Sequence, residues 1–105
     1  MPGAIKFLPI NVAGNGDNIV IAGVAGRRYI VTNYVLVAAG TVNVTFKSGT
    51  TALSGAMPLV VNSGVSDTGL RESPIMETLP GDAFIINLSA AVGVTGHIAY
   101  VDTGF

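Results

Sequence analysis

Arg28-Tyr29-Ile30-Val31-Thr32-Asn33-Tyr34-Val35-Leu36-Val37-Ala38, followed after Ala39-Gly40 by Thr41-Val42-Asn43-Val44-Thr45-Phe46-Lys47, decides the fold of this chain. The second stretch alternates strictly. Val42, Val44 and Phe46 fall on one side, and Thr41, Asn43, Thr45 and Lys47 on the other, the period-2 signature of a half-buried antiparallel strand. The first stretch is apolar on both sides, with Tyr29, Val31, Val35 and Val37 on one face and Ile30, Tyr34 and Leu36 on the opposite one. A strand of that kind is expected to be covered on both sides, by a second sheet within the domain or by a neighbouring subunit.

Working outward, Phe84, Ile86 and Leu88 alternate against Ile85, Asn87 and Ser89, and Val94, Ile98 and Tyr100 share a face that Gly96 interrupts. Gly96 reads as a bulge or a close backbone approach. Ile19 to Ala22 is apolar on both faces. Turn formers stand between these runs: Gly14-Asn15-Gly16-Asp17, read as a hairpin turn, then Ser48-Gly49, Ser54-Gly55, Asn62-Ser63-Gly64 and Pro80-Gly81-Asp82. Pro80-Gly81 is the centre of a type II turn, with Pro fixing φ and Gly accepting the positive φ that follows. No segment carries a 3.6-residue apolar stripe with caps, and Ser89-Ala90-Ala91 offers at most one helical turn. Short strands punctuated by turns predict an all-β, antiparallel, jelly-roll-like sandwich. It forms one domain over residues 1–105, with 1–25 as N-terminal strands or an arm. Residues 66–74 read as the longest loop, and a charged one.

Composition narrows the function. Half the residues are hydrophobic, 14 are Gly, and only five Lys/Arg and six Asp/Glu are present. Ordinary domains are about one quarter charged, and a domain of this size buries only about two-thirds of the surface of its unfolded chain. The composition therefore predicts a subunit that works in contact with other chains. A net charge of −1 offers no basic patch, so no nucleic acid is expected as partner. The two uncharged runs 29–46 and 83–101 are interrupted by Thr, Asn, Gly, Ser and His and rich in Val and Ile, so they read as strands and no membrane association is expected. No export signal is expected at the N-terminus either, because Pro9 and Asn11 break the apolar run after Lys6.

Motifs for chemistry are sparse. There is no Cys, so thiol catalysis and Cys-ligated zinc are excluded. His97 has no partner at metal-ligand spacing and reads as a strand histidine. Asp-Thr-Gly occurs at Asp67-Thr68-Gly69 and Asp102-Thr103-Gly104, the tripeptide of aspartic proteases, whose two carboxylates share one proton. The first copy lacks the apolar strand that should lead into it, and little chain follows the second, so both are read as turns and no enzyme, cofactor or metal is expected. The aromatic residues are scattered, with Tyr29 and Tyr34 on opposite faces, which leaves no ring platform for a sugar.

From Gly26 to Val101 the phrasing is similar to that of small structural proteins of tailed bacteriophages. The likeness lies in Gly26-Arg27-Arg28-Tyr29-Ile30-Val31, Gly40 to Gly49, Thr51 to Leu59, Pro80-Gly81-Asp82-Ala83 and Asn87 to Val92. The resemblance implies a virion component, made in the host cytoplasm and placed on the capsid surface. There it would act as a decoration or cement protein whose partners are the major capsid protein and its own copies, as a homotrimer. It transfers no catalytic residues. The alternative setting is the phage neck, tail or fibre, with glycan binding. Arg27, Arg28, Arg71 and Glu72 are the expected partner contacts, because charged groups at interface rims set register.

Overall fold

The computed structural model describes residues 5–69 and 74–104, and these form ten strands and no helix. They are β1 (Ile5–Val12), β2 (Gly16–Ile21), β3 (Arg27–Ala38), β4 (Val42–Ser48), β5 (Thr51–Ala52), β6 (Met57–Leu59), β7 (Gly64–Thr68), β8 (Met76–Glu77), β9 (Phe84–Leu88) and β10 (Val94–Gly104). One sheet runs β1-β10-β3-β7, with β8 also pairing β3; the other runs β2-β9-β4-β5, with β6 also pairing β4. Every pairing is antiparallel. Taking β5 with β6 and β7 with β8 as broken single strands leaves eight positions, and their order is that of a jelly roll. The expected all-β sandwich is the fold observed.

The chain crosses between sheets at its first turn. Residues 13–15 therefore join two sheets, and the expected hairpin between β1 and β2 does not form. Asn18 holds this crossing together. Its Nδ2 donates to the carbonyls of Gly14 and Gly16 at 2.8 and 3.2 Å, and the Gly14 N–H donates back to Oδ1 at 3.3 Å. The Pro80-Gly81 turn is as expected: Gly81 has φ +84°, and the Asp82 N–H donates to the Leu79 carbonyl at 3.1 Å. Ser89 to Ala91 makes no helical turn.

The core lies between the sheets. Val42, Val44 and Phe46 of β4, Phe84, Ile86 and Leu88 of β9, and Leu36, Val94 and Ile98 of the facing sheet are all essentially inaccessible. At its centre Tyr34, Phe46 and Phe84 form a chain of rings, with centroids 4.7 and 5.7 Å apart, while Tyr29 meets Tyr100 edge-on at 5.9 Å. Each such side chain contributes about 1.5–3 kcal/mol by leaving water.

β3 departs from the expected two-faced strand. Tyr29 and Val31 point into the core, and so do Tyr34, Leu36 and Ala38. The inward parity changes between them because the ladder with β10 skips Thr32: Tyr100 pairs with Val31, and Ala99 with Asn33. This is a β-bulge, one extra residue that shifts every later side chain to the other face. The two tyrosines expected on opposite faces therefore share the core. Only Ile30, Val35 and Val37 remain as the apolar outer side of the strand. Gly96 lies on the partner strand opposite Leu36. It is a close approach and not the bulge, since a Cβ there would fall 1.8 Å from the Val35 carbonyl oxygen.

Candidate interaction surface

The two outer faces differ in chemistry. On the β2-β9-β4 sheet the outward side chains include Asp17, Asn87, Thr45, Lys47 and Asn43, since their neighbours in sequence fill the core. Lys47 Nζ lies 3.1 Å from both Asp17 oxygens and Asn87 Nδ2 donates to Asp17 Oδ1 at 2.7 Å. These bonds, first that from Asn87 and then that from Lys47, hold the Asp17 carboxyl below the usual carboxylate range. These polar groups satisfy one another, and the apolar residues on this face are Ile19, 65 % exposed, and its pair Ile85 in the row of Lys47.

The β1-β10-β3-β7 sheet presents the opposite character. Paired residues of antiparallel strands lie on the same face, so the register builds rows across its outside. Ile5, Val101 and Ile30 make one row, Phe7, Ala99 and Asn33 the next, then Pro9, His97, Val35 and Ser66, then Asn11, Thr95, Val37 and Gly64. Ala99 and Val101 are buried although they lie outside the core between the sheets. Beside them Phe7 stays 75 % exposed and Ile5 45 %. Where Gly64 leaves out a side chain, Val35, Val37 and Ser66 border a shallow depression of about 170 Å³. Exposed apolar residues scattered singly are ordinary, but a contiguous group on one sheet face marks a contact surface.

Charge frames one end of this face. Arg28 forms an ion pair with Glu77, and both residues lie on the outer side. Arg27, its neighbour, points the other way, to the mouth of the sandwich, where its Nε lies 3.2 Å from Asp102 Oδ1 and Lys6 Nζ lies 3.9 Å from Asp102 Oδ2. The strand alternation thus splits the basic doublet between two surfaces. Arg71 and Glu72 lie outside the described residues. Sequence reading missed the sheet that gathers Ile5, Phe7, Pro9 and Val35, because the face arises from the pairing of β1 with β10 across almost the whole chain.

The motifs weighed for catalysis are kept apart. Asp67 is in β7 and Asp102 in β10, so Asp-Thr-Gly closes strands here and does not form the expected turns. Asp67 pairs with Tyr34 and Asp102 with Tyr29, well separated along β3. Asp67 Oδ1 accepts its own neighbour's N–H, from Thr68, at 2.8 Å. Two carboxylates so placed share no proton. β7 includes residues 66–68, so the expected loop starts later than the sequence suggests. His97 is exposed on the outer face, between Pro9 and Val35. Among the described residues no group of three His, Cys, Asp or Glu could hold a metal ion, and no helix is long and apolar enough to cross a membrane. No protein-family model matches the chain, and no curated protein matches it either.

Proposed function

We propose that this protein is a non-enzymatic assembly subunit that docks through the outer face of the β1-β10-β3-β7 sheet. The observation that carries the reading is Phe7, three-quarters exposed beside the buried pair Ala99 and Val101. An aromatic side chain held on a rigid sheet over an apolar floor is the kind of anchor on which interface energy concentrates. The opposite face, polar apart from Ile19 and Ile85, would remain in water.

The setting follows from the sequence resemblance. We place the subunit on the head of a tailed bacteriophage as a decoration protein that self-associates, as a trimer, and binds the major capsid protein. A protein that binds only the mature lattice stabilises that lattice by mass action, and many copies on a symmetric shell gain avidity without a tight single contact. Arg28 and Glu77, at the border of the apolar face, would set the register.

Two measurements test this. Sedimentation of the purified chain, wild type against Phe7→Ser, reads self-association; a wild-type monomer at every concentration refutes the oligomer. Quantitative mass spectrometry of purified virions reads location. Stoichiometry with the capsid lattice supports a head protein, stoichiometry with the neck or tail rings moves it there, and absence from virions refutes the setting. Glycan binding in a fibre finds less support, because the tyrosines that could stack on a sugar are spent in the core.

A further inference from the structure

We infer that Asn15 is a site of spontaneous deamidation, converting in the folded protein to aspartate and isoaspartate at the turn that joins the two sheets. The reaction is intramolecular. The Gly16 backbone nitrogen attacks Asn15 Cγ, a C–N bond forms, the Cγ–Nδ2 bond breaks, and ammonia leaves with the proton that the nitrogen gives up through water. The product is a five-membered succinimide. Water then opens the ring at either carbonyl, giving aspartate or its β-linked isomer, with no change in oxidation state.

Several observations single out this residue. Asn15 is exposed, and its carboxamide makes no hydrogen bond to any of the described residues. The residue that follows is Gly16, with φ +96° and nothing within 4 Å of the position a Cβ would take. No side chain therefore screens the attacking nitrogen, and glycine's freedom lets the backbone turn toward Cγ. Gly16 is also the first residue of β2, paired with Leu88, so only this terminal rung has to open for its nitrogen to attack.

The other asparagines are held or poorly placed; Asn11, exposed in β1, is followed by β-branched Val12. Asn18 donates its amide to two carbonyls of the same turn and to Ile86. Asn33 Oδ1 accepts from Thr32, and Asn87 donates to Asp17. Asn62 has φ 60°, but the nitrogen that would attack it, that of Ser63, already donates to the Val60 carbonyl at 3.0 Å. Asn43 lies within β4 and is followed by β-branched Val44. Asn15 alone joins an exposed carboxamide without a described hydrogen bond to a following glycine, so it should lead.

The consequences are local and permanent. Either product adds a negative charge two residues from Asp17, and the isomer lengthens the backbone between the sheets by one methylene. The test is peptide mapping by mass spectrometry, with isoaspartate detection, on the intact folded chain aged at mildly alkaline pH. The expected result is conversion at residue 15 ahead of every other asparagine, faster as pH rises, and a more acidic species on isoelectric focusing. Asn15→Gln should abolish that species while leaving the fold unchanged, as read by circular dichroism. Faster conversion at Asn11, Asn62 or any other asparagine, or an unmodified Asn15 after prolonged ageing, overturns the inference.

Discussion

Thr32 Oγ1 lies 3.2 Å from both the carbonyl oxygen of Ala99 on the adjacent strand and Asn33 Oδ1, and its one proton, shared between them, pins the bulge that brings Tyr29 and Tyr34 to the same side of β3. The hydroxyl is buried, and the bulge's own carbonyl accepts the Gly69 N–H at 2.6 Å. Thr32→Val keeps the shape and removes the donor. It should cost about 1–3 kcal/mol, the range for a buried acceptor losing its partner, read as a lower urea midpoint with an unchanged m-value.

Ser48 does comparable service at the end of β4. Its buried Oγ donates to Asp82 Oδ2 at 2.8 Å and accepts the Leu79 N–H at 2.9 Å, tying β4 to the turn before β9. Ser48→Ala leaves both groups without this partner and should cost about 1–3 kcal/mol. Amide exchange at Leu79 should quicken more than at Ile86, which reports local opening apart from global unfolding.

Phe46 and Phe7 should separate stability from assembly. Phe46→Ala opens a cavity between Tyr34 and Phe84 and should cost about 3–5 kcal/mol. Phe7→Ser removes an exposed ring and should change the thermal midpoint little, since surface changes usually stay within about 0.5 kcal/mol, while weakening self-association in sedimentation. A Phe7→Ser protein that unfolds early but associates normally would move the docking surface elsewhere.

The acid response of Asp17 has a defined sign. Its folded carboxyl is held below the ordinary value by Asn87 and then Lys47. The stabilisation is therefore present above the unfolded value of about 3.9 and is lost as pH falls through the lower folded value. Asn87→Ala should raise the Asp17 midpoint toward the ordinary one, read by carboxyl NMR.

The tyrosines report the alkaline side. Burial raises the hydroxyls of Tyr29 and Tyr34, with nearby Asp102 and Asp67 adding to the effect. Stability that depends on their neutral form is present below the unfolded value of about 10 and is lost as pH rises through the higher folded value. Tyrosinate absorbance from these two should therefore appear later in the folded protein than in urea.

The legibility of the fold was uneven, and the reasons are specific. β4 could be read directly, because it has one wetter face and one dry one and period 2 shows through. In β9 the inward set Phe84, Ile86 and Leu88 was legible although Ile85 on its outer side is buried as well. β3 misled because Thr32 inserts a phase shift that no single-strand pattern displays; its two halves, 29–31 and 34–38, each alternate cleanly. The apolar stripe that seemed to demand a partner on both sides is mostly this shift, and its outer apolar side shrinks to Ile30, Val35 and Val37. Phe7 and Ile5 gave no signal on their own, since their significance depends on pairing with Ala99 and Val101 from the far end of the chain. Arg27 and Arg28 were legible as a charged doublet but not as residues facing apart.

The pairing of Ile5 with Val101 and of Val12 with Val94 carries a mechanical consequence. Both ends of the described chain emerge from the same end of neighbouring antiparallel strands, whose hydrogen bonds lie across the strand direction. Tension applied through the termini would load the Ile5–Val101 rung first and peel β1 away rung by rung at low force. A push or shear spread over the flat of the sheet is shared by every rung at once. The molecule is thus weak as a tether and strong as a plate.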